Sequence, residues 1–166
     1  MATFIRRFLK LRGWRQHDFR AEIAPTGRGS GEQWVRERFP DELEAQRAHG
    51  SNTVLVVGTD ADTKSVADRI ATLDRACRER KVQPKTLQDT VVMVVPKRNI
   101  ETWFAYLRGE TTNEDEEYRR YDNESDCRND VRSLDEMCRR KELHNPAPPS
   151  LQMACREYQR MPHKNA

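Results

Sequence analysis

The residues best suited to chemistry are Asp60 and Asp62, in the segment Gly58-Thr59-Asp60-Ala61-Asp62-Thr63-Lys64-Ser65. Two carboxylates two positions apart in a turn can reach one hard cation. Mg²⁺ takes oxygen ligands and keeps several waters, so one or two protein carboxylates suffice. The competing reading is a turn in which Asp62 or Thr63 caps the following helix with no metal present. A second segment, Val95-Pro96-Lys97-Arg98-Asn99-Ile100-Glu101-Thr102-Trp103, carries Glu101 as a third carboxylate and two cations. Lys97 and Arg98, with Lys64, suit phosphate oxygens and the charge that develops in phosphoryl transfer. Glu101 alternatively serves only the dipole at a helix start, and Trp103 reads as core or interface. A third segment, Gly27-Arg28-Gly29-Ser30-Gly31-Glu32, precedes a helix whose first amides, with Arg28, could bind an anion. It lacks the Lys-Ser/Thr of a Walker loop and the spacing of a dinucleotide fingerprint. His17, His49, His144 and His163 lie in polar surroundings, and no nucleophilic triad is indicated.

The elements that must position these groups follow from apolar spacing. Thr53–Val57 and Thr90–Val95 are continuous apolar runs of strand length, the pattern of parallel strands buried on both faces. Phe19 to Ala24 alternates as a further strand, stopped by Pro25. Phe4, Ile5, Phe8 and Leu9 mark a first helix ended by Gly13. Ser30 caps a second, which Pro40 breaks or restarts; Val66, Ile70, Leu73 and Cys77 form the stripe of a third; Ile100 to Leu107 is a short fourth. Helix and strand alternate over residues 1–108, so the expectation is an α/β domain with a mainly parallel sheet flanked by helices. Both acidic segments then lie outside the carboxyl ends of strands, where open α/β sheets bind ligands.

Residues 109–166 form an extension. Residues 110 to 125 are polar and acidic and read as a loop; Cys127 to Cys138 carry a helical stripe. Asn145-Pro146-Ala147-Pro148-Pro149 is a rigid linker, and Ser150 caps a last helix. These helices are too few to form a core and should dock on the α/β part.

The 166-residue chain is long enough for one real core, and 34% charged residues give it a highly charged surface. The net charge of +3 excludes no partner class, although Arg6, Arg7, Lys10, Arg12 and Arg15 crowd the start and Glu114 to Glu117 form an acidic block. Cys77, Cys127, Cys138 and Cys155 show no zinc spacing and read as reduced thiols of a cytoplasmic protein. No apolar run reaches transmembrane length, so no membrane partner is expected.

The string Val54 to Asp62, taken with Val94 to Trp103, resembles the Toprim catalytic fold. It is most similar to Toprim-like proteins of prokaryotic defence loci, including the nuclease portion of the overcoming-lysogenization-defect family, over roughly residues 1 to 108. The resemblance implies that Asp60 and Asp62 hold Mg²⁺ (or Mn²⁺), that Glu101 and Lys97 join the catalytic group, and that nucleic acid is the substrate. It also implies an ATPase partner or a homo-oligomer. Toprim enzymes place a Glu after a first strand; this sequence starts on a helix, and neither Glu22 nor Glu32 matches that motif. The expected function is a Mg²⁺-dependent nuclease or related phosphoryl-transfer subunit of a defence system. Two alternatives stand beside it: a non-catalytic Toprim-like subunit that binds an ATPase or nucleic acid, and a nucleotide-binding regulator that uses the glycine loop.

Overall fold

The computed structural model describes residues 1–26, 30–50, 53–144 and 146–160. They form six α-helices and a two-stranded parallel sheet. In chain order these are α1 (Ala2–Leu11), α2 (Gly31–His49), β1 (Leu55–Gly58), α3 (Val66–Glu79), β2 (Val91–Val94), α4 (Glu101–Leu107), α5 (Arg128–Arg140) and α6 (Pro149–Gln159). The α/β expectation therefore holds in this coarse sense.

β1 and β2 pair in parallel with Leu55 opposite Val91 and Gly58 opposite Val94. Successive strand residues point to opposite faces, and both faces are covered. Val57, Val91, Met93 and Val95 pack against Phe39 and Leu43 of α2 and Leu73 and Cys77 of α3. Val54, Val56, Val92 and Val94 belong to a second cluster with Phe4 of α1, Trp103 of α4, Leu134 of α5 and Leu151 and Tyr158 of α6. The carboxyl-terminal helices thus share a core with the sheet. Arg47 fastens α2 to the loop before β2, donating through Nε and Nη2 to the two oxygens of Asp89 at 2.8 Å each. This fork holds the Asp89 carboxyl well below the usual carboxylate range.

Four expectations need correction. Phe19–Ala24 is not a strand of the sheet: Phe19 is extended (φ −137°, ψ 142°), but no strand pairing forms there among the described residues. Its polar positions turn to α2 instead, Arg20 donating to Glu42 at 2.8 Å and Glu22 lying 2.7 Å from Arg38. Pro40 neither breaks nor restarts α2, which runs unbroken from Gly31 to His49. An internal proline costs about 3 kcal/mol, and burying Phe39 and Leu43 beside it returns about 1.5–3 kcal/mol each. Ser150 is not the cap of α6; Pro148 holds that position, and Ser150 lies inside the first turn with its amide donating to Glu114 at 3.1 Å. Its hydroxyl accepts from the Trp103 indole at 2.8 Å, which places Trp103 in the core. The thiols are not all reduced: Cys138 of α5 and Cys155 of α6 form a disulfide, while Cys77 and Cys127 are free and buried. Their spacing fits no metal motif because two helices, not one turn, bring them together. Disulfides persist in oxidising compartments, so the cysteines no longer argue for a reducing one. No helix among the described residues is long and apolar enough to cross a membrane.

Candidate metal centre at the carboxyl end of the sheet

The two acidic segments meet because β1 and β2 end side by side. Beyond the strands the chains stay in register, Thr59 N–H donating to the Val94 carbonyl at 3.2 Å and Ala61 N–H to Pro96 at 2.8 Å. Ala61 is fully buried and anchors the turn from beneath. Asp62 then takes a left-handed conformation (φ 60°), one of the few tolerated by a short polar side chain. Ser65 closes the turn and caps α3, its hydroxyl accepting from Asp68 N–H at 3.0 Å. Ser65 thus fills the capping role that the sequence offered to Asp62 or Thr63.

Asp60 is the distinctive group. Its Oδ1 is buried and has no hydrogen-bond partner among the described residues. Burial raises its pKa from 3.8 to about 6; Glu101 and Asp62 push the same way, while the chain's amino terminus and Arg120 oppose them. Two neighbouring carboxylates therefore disfavour the charged form of Asp60, which burial already disfavours. Such an oxygen fits a hard cation that needs only one or two protein carboxylates and fills its remaining positions with water or phosphate. A closed protein cage is not present: no group of three or more His, Cys, Asp or Glu among the described residues is arranged to hold an ion. Asp62 turns outward, its side chain 68% exposed and 4.0 Å from Arg98.

The cations expected to meet phosphate lie nearby but are engaged. Arg98 donates to Glu117 at 3.0 Å, and Lys97 Nζ lies 3.2 Å from Asp115. The acidic block therefore folds back over this edge of the sheet. Lys64 is exposed in the turn after Asp62. Arg28 and most of the glycine loop lie outside the described residues. Glu101 opens α4 as its only first-turn acid, so its dipole role and its action on Asp60 coexist.

Sequence reading missed the residue that builds the turn. Arg69, 5% exposed, donates Nε to the Asp60 carbonyl at 3.0 Å and Nη2 to the Ala61 carbonyl at 3.1 Å, while Nη1 lies 2.5 Å from Glu32. The signal was an arginine on the apolar stripe of α3, between Val66 and Leu73. Asp60, Asp62, Arg69, Arg98 and Arg120 all border one cleft of about 1510 Å³ that runs along β1 between α1 and α2. No protein-family model matches the chain, and no curated protein or solved structure matches it.

Proposed function

We propose that the protein is a Mg²⁺- or Mn²⁺-dependent nuclease, or a related phosphoryl-transfer subunit, of a prokaryotic defence system. The observation that carries this reading is the buried, unbonded Oδ1 of Asp60, whose charge Glu101 and Asp62 both disfavour, at the carboxyl end of a parallel sheet. Asp60 would hold the ion, with Asp62 or Glu101 as a second carboxylate from the turn and from α4. A bound divalent ion would supply Lewis-acid stabilisation of a phosphodiester and lower the pKa of an attacking water. Lys97, Arg98 and Lys64 would position the substrate's phosphates, the first two after exchanging Asp115 and Glu117 for phosphate oxygens. Those two carboxylates are each 76% exposed, so the exchange forfeits only the small worth of surface ion pairs, about 0–1 kcal/mol each. The test is cleavage of plasmid, single-stranded DNA and RNA with Mg²⁺ or Mn²⁺. Cleavage that survives Asp60→Ala combined with Asp62→Ala sinks the reading.

A second reading is a non-catalytic Toprim-like subunit that binds an ATPase or nucleic acid. It is favoured by the outward turn of Asp62 and by a sheet of two strands. Robust metal-dependent cleavage by the isolated monomer would dismiss it.

A further inference from the structure

Most charges along the cleft are already matched. Arg20 meets Glu42, Arg38 meets Glu22, Arg69 meets Glu32 and Arg98 meets Glu117. Those pairs take up each glutamate that borders the cleft. Asp18 accepts from the Arg15 amide at 2.6 Å. The carboxylates left are Asp60 and Asp62, the proposed ion ligands. The arginines left are Arg6 and Arg120, which form no ion pair among the described residues. The two differ. Arg6 has a buried Nε, whereas Arg120 is exposed and its charge reaches Asp60.

The backbone delivers Arg120 to this place. Residues 110–122 form a strap with a buried anchor on each side of it. On one side Glu114 accepts from the Ser150 amide at 3.1 Å, and Ser150 is buried. On the other, the Tyr121 hydroxyl donates to the buried Asp130, and the Tyr121 ring packs 5.2 Å from that of Phe104. Between these anchors Tyr118 and Arg120 border the cleft, while Arg119 turns away to Asp122 at 3.6 Å. A guanidinium on a backbone already fixed gives up little freedom when it binds.

Charge indicates what it would take. Arg120 favours the ionised form of Asp60 without forming an ion pair to it. With a divalent ion held by Asp60 and Asp62, the guanidinium keeps no anion of its own. A singly charged group with two free oxygens matches its planar fork. Under the phosphoryl-transfer reading, on which this inference rests, that group is a phosphodiester of the substrate.

We propose that Arg120 receives the phosphodiester at the Asp60 centre, its guanidinium donating to the non-bridging oxygens. Lys97 and Arg98, each met by a carboxylate of the same strap, serve the flanking phosphates. The extension beyond residue 108 thus completes the site as well as packing on the sheet.

The probe is fluorescein-labelled hexathymidylate, titrated into the full chain with Ca²⁺, which also takes oxygen ligands, and read by anisotropy. Arg120→Ala should bind about tenfold more weakly, with a salt slope lower by about 0.7, the share of one single-strand phosphate. Arg120→Lys keeps the charge without the fork and should fall between. Arg119→Ala should bind as the native chain does. A methylphosphonate hexamer, whose linkages are uncharged, should not distinguish Arg120→Ala from the native chain. Mn²⁺ binding, read by electron paramagnetic resonance, should survive Arg120→Ala. The proposal is overturned if Arg120→Ala binds hexathymidylate as tightly as the native chain, if Arg119→Ala loses as much, or if Mn²⁺ binding is lost with Arg120. A native chain that binds no hexathymidylate overturns it as well, whatever its cleavage. Binding that depends on Arg120, with no cleavage in Mg²⁺ or Mn²⁺, overturns the nuclease reading and leaves the role of Arg120 standing. Cleavage and binding that Arg120→Ala leaves unchanged overturn the role of Arg120 alone.

Discussion

The Arg69 guanidinium reaches from α3 to the Asp60 carbonyl at 3.0 Å and the Ala61 carbonyl at 3.1 Å, fixing the backbone of the acidic turn from behind. The side chain that holds the turn thus leaves the Asp60 carboxylate itself free. Arg69→Ala should strand two carbonyls and Glu32, with a loss of about 3–5 kcal/mol of the kind seen when a buried ion pair is broken. Arg69→Lys should recover little of it, since a single ammonium cannot reproduce the fork. Urea unfolding of the two variants measures both effects.

Asp60 gives stability a characteristic pH dependence. Its carboxyl titrates near 3.8 when unfolded and at about 6 when folded. Between those values the folded state binds more protons, so the contribution of Asp60 to stability falls as pH rises and the penalty is complete above pH 6. It amounts to about 3 kcal/mol at most. Asp60→Asn should therefore raise stability at pH 8 by about 1–3 kcal/mol, a Tm increase of about 2–4 °C per kcal/mol at this chain length. At pH 3.5 the same substitution should change Tm little. Thermal melts across that range check the sign.

The acidic block should act as a competitor for phosphate. Asp115→Asn with Glu117→Gln releases Lys97 from Asp115 and leaves Arg98 only its 4.0 Å contact with Asp62. The double variant should bind a single-stranded oligonucleotide several-fold more tightly, with a steeper salt dependence from the added phosphate contacts. Fluorescence anisotropy at two or more salt concentrations reads both.

The Cys138–Cys155 bridge closes a short loop, at a sequence separation of 17. A loop of that size is worth about 3 kcal/mol against the unfolded chain. Reduction, or Cys138→Ser with Cys155→Ser, should lower stability by about that amount, with the loss visible in denaturant midpoints under oxidising against reducing conditions. The pairing also holds α5 against α6, beside the Tyr158 hydroxyl that donates to the buried Asp135.

What the residues disclosed in advance divides along a physical line. Local signals carried over: the apolar runs of β1 and β2, the Val66–Cys77 stripe of α3, the Gly13 stop after α1 and the Ser30 cap of α2 each depend on neighbours within a turn or two. Signals that needed a distant partner did not. Phe19–Ala24 alternates as a strand should, but α2 claims its charged side chains before any sheet does. Ser150 has the type and position of a cap, yet Glu114, thirty-six residues away, supplies the acceptor. The acidic block reads as a solvated loop until Lys97 and Arg98 are placed beside it. At the candidate centre, spacing brought Asp60 and Asp62 together in one turn, and it could not say that the left-handed Asp62 would face solvent while Asp60 turned inward.

The central claim is that Asp60 is a divalent-cation ligand, and Mn²⁺ binding followed by electron paramagnetic resonance at pH 8 tests it most directly. The account predicts saturable binding by the native chain, loss of that binding in Asp60→Asn with the fold retained, and weakening as pH falls through 6 and Asp60 takes up its proton. Undiminished Mn²⁺ binding by Asp60→Asn, or none by the native chain at pH 8, would contradict it.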